Sequence, residues 1–568
     1  MFRTFNTHHV RKEFDLTGSE WFFTPLAKKD PEVKIPVFVP CCTENIPGFE
    51  QYRGESLYQR QVEIMEDADN VSLVFYGVSF NCTVLWDGME AGTHYGAYTA
   101  FSCILHNVNK GLHTLKVIAD NRFSEKSALH VPNDYMSYGG IIRGVSMEIL
   151  PDVSIKRIGI TPAKEGNAWS LSVDISMETF DHSNEKYMIK TKVIDAETRE
   201  VIKETDDIEI PQTADDGTAS LALNIAFSAE ESSRIKEWNP DAPHLYEFEA
   251  VLKKDDVIID DLIERFGFRT VTVSGRDILV NGRKVRFKGL CRHEDHPMFG
   301  AALPYQVMEQ DLQIMRDLGA NAVRTTHYPN NPYFLDLCDE QGFLVWEENH
   351  ARGLSEEQMR NPNFEPQAEQ CIREMIPQHM NHPSIIIWGI LNECASDSEY
   401  GRSCYKAQFE LIKKLDSSRP TSFASCKFMT DICLDLPDIV SYNLYPEWYV
   451  NKPSKEWIEE NFAYAQSHGG EGKPFIISEI GAGGIYGERS RKKSRWTEDY
   501  QAEILGHQVS AVLSENDISG VFIWQFCDGR ISEEWWGGRP RTMNNKGVVD
   551  EYRRPKLSYD VVREIFRS

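Results

Sequence analysis

The apolar pattern of the chain changes character twice. Up to about residue 152, β-type runs such as Ser72–Tyr76 and Leu112–Ile118 are separated by Gly, Asn and Asp clusters. Short strands between turn signals predict an all-β sandwich of jelly-roll type for 1–152. Over 153–271 a more polar stretch alternates apolar and polar positions, as in Trp169–Ile175 and Tyr246–Leu252, which predicts a second, immunoglobulin-like β-sandwich. Over 272–568 continuous apolar runs alternate with helix-period segments, the pattern of a parallel α/β fold. Strands are predicted near Val285–Gly289, Ala322–Thr325, Leu344–Trp346, Ile385–Ile390, Ser422–Ala424, Ile439–Tyr442, Phe475–Ser478 and Val521–Trp524, with helices over Gln306–Leu318 and around Phe409–Leu415. Eight strands in that order predict a C-terminal (β/α)8 TIM barrel.

Two of those strands end in an acid. The run NHPSIIIWGILNE closes on Asn392 and Glu393, and PFIISE closes on Glu479. In a barrel of this kind chemistry sits at the carboxyl ends of the strands. A single glutamate there is ordinarily a helix cap or a solvated side chain, whereas a pair has a use. Glycoside hydrolysis needs one carboxylic acid to protonate the leaving oxygen and one carboxylate at the anomeric carbon, about 5–5.5 Å apart in retaining enzymes. The fourth and seventh strands face each other across the mouth, and repulsion between the two carboxylates is expected to keep one protonated near neutrality.

Charge narrows the partners. Lys plus Arg number 61 against 87 Asp plus Glu, a formal charge of −26 in 568 residues, which disfavours nucleic acid and acidic membranes. An anionic small molecule would need a local cation, effective because screening acts over about 8 Å at physiological ionic strength. The N-terminal MFRTFNTHHVRKEFDL has no apolar core of a signal peptide and no run is long enough to span a membrane, so cytoplasmic residence is the expectation. The 12 Cys are scattered without a C-x-x-C and predict buried reduced thiols.

Beyond the strand-end acids, NAVRTTHYPNNPYFLDLCDEQGFLVW (Asn321 to Trp346) and NHPSIIIWGILNE resemble the two signatures of glycoside hydrolase family 2, and the chain is most similar within it to the β-glucuronidases over nearly its whole length. The resemblance implies a retaining mechanism, no organic cofactor, Glu393 as acid/base, Glu479 as nucleophile and Asn392 as donor to the sugar 2-hydroxyl. FKGLCRHEDH offers His293, Glu294, Asp295 and His296, but adjacent residues rarely converge on one ion; no metal is expected, and the run resembles the family's HED segment, with His293 facing the sugar. Arg324 and His327 likewise resemble active-site residues, and Asp134 in NDYMSYGGIIR resembles a first-domain aspartate that reaches sugar hydroxyls. In MNNKGVVDEYRRPK, Asn544 and Lys546 resemble an N-x-K motif that holds a C6 carboxylate through charge-assisted hydrogen bonds.

Departures from the family pattern bear on the sugar. YNLYPEWY supplies Tyr445, Trp448 and Tyr449 but has Leu444, Pro446 and Glu447 where β-glucuronidases carry Arg, Tyr and Gly, so Glu447 is expected either to accept from an axial hydroxyl or to face solvent. Arg541 is expected in the pocket, although its spacing to Asn544 is one residue short. Trp524, Trp535 and Trp536 are candidates to stack on sugar or aglycone. GAGGIYG (Gly481 to Gly487) lacks dinucleotide spacing and is expected to be a flexible rim loop. The sequence therefore points to a β-glucuronidase acting on a small-molecule uronide, with β-galacturonidase and then β-galactosidase as alternatives, and an inactive carbohydrate-binding protein as the reading from another class. A homo-oligomer, dimer or tetramer, is implied by the resemblance.

Overall fold

The computed structural model describes residues 3–26, 33–180, 185–211, 217–535 and 537–568; Trp536 lies outside them. The first sandwich faces a four-stranded sheet, built on Ala68–Phe75 and Val145–Leu150, against a six-stranded sheet built on Glu55–Ile64 and Gly111–Asp120. Trp21, Phe23, Tyr58, Val71, Leu73 and Val117 fill the space between. The second sandwich pairs a three-stranded sheet with one carrying Tyr187–Asp195 and Tyr246–Lys254. Ala168–Thr179 and Tyr187–Asp195 alternate buried and part-exposed residues along their whole length, as a sheet with one wet face requires.

The last part is a closed eight-stranded parallel barrel. Its strands are β1 (Phe287–Arg292), β2 (Ala322–Thr325), β3 (Leu344–Glu348), β4 (Ile385–Ile390), β5 (Thr421–Ser425), β6 (Ile439–Asn443), β7 (Phe475–Ile480) and β8 (Gly520–Ile523). Every residue of β4 and of β7 is buried, because side chains on one face fill the barrel and those on the other meet helices. The first predicted strand is displaced: Arg283–Val285 pairs antiparallel with Asp277–Val280 in a small sheet before the barrel, and β1 begins at Phe287. The segment around Phe409 is the second half of a longer helix, Glu399–Leu415, whose polar first turn is capped by Ser398 accepting from Gly401 N. No described helix is long and apolar enough to cross a membrane.

Local chemistry sets both ends of the helix that follows β2. Asn331 caps Pro332–Gln341, its side chain accepting from Tyr333 N with Pro332 in the first turn, where a missing N–H costs nothing. Gly342 ends that helix at φ +72, and a Cβ there would lie 2.2 Å from Pro240 O. Both left-handed backbone and close contact with the second sandwich call for glycine. The N-terminal segment straps the parts together: Arg3 pairs with Glu264 of the second sandwich and Asp336 of that same barrel helix, and Arg11 with Asp260 and Glu148.

The first sandwich also reaches the barrel mouth. Arg143 donates to Glu294 at 2.9 Å and to Pro329 O at 2.7 Å, Tyr138 donates to Asp295 at 2.9 Å, and Tyr98 stacks on Tyr328 with ring centroids 3.9 Å apart. These contacts carry the loop bearing Asp134 over the barrel. Inside the barrel, Gly389 of β4 has no room for a side chain, since a Cβ would meet Trp346 Nε1 at 2.2 Å, and the Trp346 ring carries the Arg324 guanidinium at 4.9 Å. Gly389→Ala should destabilise the fold by about 1–3 kcal/mol through overpacking. Thermal unfolding of the variant beside the wild type checks it.

Candidate active site

Seven of the eight strand ends supply polar or aromatic groups to one buried cluster, with Arg324 at its centre. This β2 side chain is fully buried. Its guanidinium donates to both Glu348 oxygens at 3.0–3.1 Å, to Glu479 Oε1 at 2.9 Å, to Ser478 O at 3.2 Å and to Asn392 Oδ1 at 2.7 Å. One side chain thus ties β2 to the ends of β3, β4 and β7, using the planar fork that lysine lacks. Asn443, at the end of β6, donates through Nδ2 to Asn392 Oδ1 at 3.1 Å and Glu393 Oε1 at 3.0 Å. Tyr445 donates to Glu479 Oε2 at 2.6 Å.

Glu393 and Glu479 are therefore held on one hydrogen-bonded frame. Leu391 and Glu393 take φ of +44 and +55, a left-handed backbone that costs non-glycine residues about 1–3 kcal/mol each and persists where surroundings fix it. Burial pushes the Glu479 carboxyl up to about 7, the Arg324 guanidinium opposes this, the Glu393 charge adds to it, and the Tyr445 hydroxyl opposes it. Burial is thus the largest cause, ahead of the repulsion anticipated from the sequence. Glu479 gains its negative charge as pH rises through this value, and Arg324 and Tyr445 keep that value from lying higher.

Above this frame lies a belt of cations. Arg352 bridges Asp134 Oδ1 at 3.1 Å and Glu393 Oε2 at 3.3 Å, and donates to Asn133 at 2.8 Å. Arg539 donates to Asp134 Oδ2 at 3.1 Å and Tyr449 Oη at 2.8 Å, and Asn544 donates to Asp134 Oδ2 at 3.1 Å. Burial would raise the Asp134 carboxyl, but Arg352, Arg539 and Lys546 hold it below the usual range. Lys546 is 2% exposed, donates to Tyr449 Oη at 2.7 Å, and lies 4.6 Å from the ring centroids of Tyr445 and Tyr449. Burial, then Arg539, lowers its pKa.

Aromatic and imidazole groups close the remaining wall. Trp524, after β8, stacks on His327 at 5.1 Å and meets the edge of His293 at 5.2 Å. His293 also stacks on Tyr135 at 4.6 Å. Asn392 Nδ2, His293 Nε2, His327 Nε2, Trp524 Nε1 and Asn544 Oδ1 are all buried without a hydrogen-bond partner. Such groups normally find one, so their collection in one place fits a polyhydroxylated ligand. The HED side chains diverge: Glu294 pairs with Arg143, Asp295 with Tyr138 and Arg530 N, and His296 Nδ1 accepts from Met298 N.

The structure brings together Asp134, His293, Asn392, Glu393, Tyr445, Tyr449, Glu479, Trp524, Asn544 and Lys546. It does not bring Arg541, whose half-exposed side chain leaves the pocket to pair with Glu551 at 3.1 Å; the positive φ of Arg541 and Thr542 turns the chain so that Arg539 enters instead. Glu447 neither lines the pocket nor faces solvent freely. It accepts from Ser454 N and Oγ at the start of the helix Ser454–Ser467 and pairs with His507 at 2.8 Å. Trp448 packs edge-on against Trp496 and Trp535 lies under Arg539 at 5.6 Å. Glu348 and Asn443 escaped the sequence reading because β3 and β6 run past Trp346 and Tyr442; the strand-end rule that found Glu393 applies to them once those ends are known. Arg352 lies beyond the end of β3, in a bridge with Asn392, and the strand-end rule does not reach it. Arg539 carries no local signal, its partner Asp134 being 405 residues away.

The fold and this cluster define a barrel glycosidase preceded by β-sandwiches. Residues 271–568 match the model of the glycosyl hydrolases family 2 TIM barrel domain, and 153–269 match the glycosyl hydrolases family 2 model; the chain belongs to glycoside hydrolase family 2. It is 30% identical over 518 residues to a β-galactosidase of Thermoanaerobacterium thermosulfurigenes, covering 89% of this chain and 68% of that one. It is 25% identical to a β-glucuronidase of Streptococcus agalactiae, covering 98% and 96%. Among solved structures, a family 2 β-galacturonidase of Eisenbergiella tayi bound to galacturonate superposes with a TM-score of 0.94 at 49% identity, covering 100% and 99%.

The Arg324 frame predicts its own stability signature. Arg324→Met leaves Glu348 and Glu479 buried without their cation, which should cost about 3–5 kcal/mol at pH 8. Because the loss arises from ionised carboxylates, it should shrink as pH falls and both protonate. Denaturant unfolding of both proteins at pH 8 and pH 5 measures the difference.

Proposed function

We propose that this enzyme is a retaining β-hexuronidase that releases a terminal uronic acid, in the first reading from β-glucuronides. Lys546 is the observation that carries it. This ammonium is buried, forms no ion pair among the described residues, and rests on Tyr445 while the hydroxyl of that same ring holds Glu479. A carboxylate at C6 of a sugar supplies the missing counter-charge, with its anomeric carbon on the Glu479 side of Tyr445.

In this reading Glu479 attacks the anomeric carbon while Glu393 protonates the departing oxygen, giving a covalent glycosyl-enzyme; Glu393 then takes a proton from water, which displaces Glu479. The unpartnered Asn392 Nδ2 donates to the 2-hydroxyl, and Asp134 accepts from hydroxyls at the opposite rim. A second reading, the β-galacturonide, is favoured by full-length likeness at 49% identity to a β-galacturonidase bound to galacturonate. Glu447, turned away from the pocket, does not decide between the C4 epimers. Cytoplasmic residence, to which twelve free cysteines are suited, and assembly into a homo-oligomer belong to the same proposal.

Initial rates on matched aryl β-D-glucuronide, β-D-galacturonide and β-D-galactoside, with wild type and Lys546→Ala, test the sugar. Lys546→Ala should cost a uronide about 2–5 kcal/mol in kcat/KM, the range for losing one partner of a buried charge pair, and spare the galactoside. A loss well under 1 kcal/mol removes the carboxylate clamp. Glu479→Gln should abolish turnover, and NMR of the first product should show the β anomer; an inverted product or wild-type turnover in the variant rejects the mechanism, and an inactive wild type would leave a carbohydrate-binding protein.

A further inference from the structure

Asn544, Asn545 and Lys546 lie almost wholly outside regular structure, with only Met543–Asn544 in a two-residue strand. Lysine reaches its target on a long flexible stem, so the place of its ammonium depends on backbone held elsewhere. That backbone is gripped from below. Asp528 and Lys556 form an ion pair at 2.7 Å with both side chains fully buried. Lys556 Nζ also donates to Gly484 O at 2.6 Å and to Asn545 O at 3.3 Å, and Asp528 Oδ1 accepts from Gly547 N at 2.8 Å. The pair therefore holds the peptide groups on both sides of Lys546.

The glycine motif after β7 completes the grip. Gly484 N donates to Asn545 O at 2.9 Å, and Gln501 Nε2 bridges Ala482 O at 3.0 Å and Gly547 O at 2.9 Å. Residues 481–484 are buried, and a Cβ on Gly484 would sit 2.6 Å from Gln501 Oε1. The first four residues of GAGGIYG are thus a packed connector and not part of the flexible rim loop expected, whereas Tyr486 and Gly487 are exposed. Gly547 has the same constraint, a Cβ there lying 2.3 Å from Asp528 N and Val549 O. Through Lys556 the connector that follows β7, the strand carrying Glu479, and the loop that carries Lys546 are fixed to one point.

We propose that Asp528 and Lys556 are positioning residues for recognition of the C6 carboxylate, setting the distance between the Lys546 ammonium and Glu479 through the backbone of residues 545–547. The inference rests on the clamp reading of Lys546. A displacement of about 1 Å in such a contact is enough to lose a large part of its effect.

The test compares kcat and KM for an aryl β-D-uronide and for the same glycoside with its C6 carboxylate converted to the amide. Lys556→Met and the charge-free double variant Asp528→Leu/Lys556→Met should lower the ratio of kcat/KM, uronide over amide, at least tenfold, with KM carrying the larger part. Asp528→Asn, which keeps the volume and one acceptor, should lower it about threefold and serves where Lys556→Met fails to fold. A ratio that stays within twofold of wild type in the folded variants, or equal losses on both substrates, overturns the proposal. Lys546→Ala separates the two readings. If it leaves the ratio unchanged, the clamp itself is wrong; if it lowers the ratio and the Asp528 and Lys556 variants do not, only the positioning role fails.

Discussion

The site depends on one buried guanidinium. Arg324 satisfies Glu348 and Glu479 together and fixes Asn392, so removing water from the barrel mouth leaves no carboxylate of that group without a donor. A buried charge is tolerated only when its partners and hydrogen bonds are complete, and here completeness requires four strands in one register. The same frame sets the chemistry. It lets a carboxylate sit in a dry pocket near its point of ionisation, where electrostatic interactions are stronger than in water.

The sandwich at the N-terminus matters because it closes that pocket. Asp134 comes from the first sandwich and collects Arg352, Arg539 and Asn544 from the barrel, so a single carboxylate organises the cationic rim. A chain of formal charge −26 thereby places Arg352, Arg539 and Lys546 together around Asp134. With screening over about 8 Å, a bound anion would feel these cations more than distant surface charge.

Much of the barrel was legible in the sequence because burial on both faces writes itself as continuous apolar runs. Ile385–Ile390 and Phe475–Ile480 were readable for that reason, and with them Glu393 and Glu479. The errors share one cause. β3 and β6 run past their apolar stretch into polar residues that are buried only because Arg324 and Asn392 satisfy them, so Glu348 and Asn443 looked like loop. Glu447 has a role at a helix start and beside His507, partners that no reading of the YNLYPEWY segment contains. Arg541 and Arg539 are two residues apart, and only the backbone turn between them decides which one reaches Asp134.

The sequence by itself determined the order of sandwiches and barrel, the two strand-end glutamates and the presence of a lysine and asparagine suited to a carboxylate. Those features are local, since strand periodicity and a residue type at a strand end need no partner to be recognised. Tertiary structure decided which cations face the pocket, how Glu479 is charged, and how the loop around Lys546 is held. Each of those depends on burial and on hydrogen bonds between segments up to hundreds of residues apart, and the free energy of a charge is set by its neighbours in space and not by its neighbours in the chain.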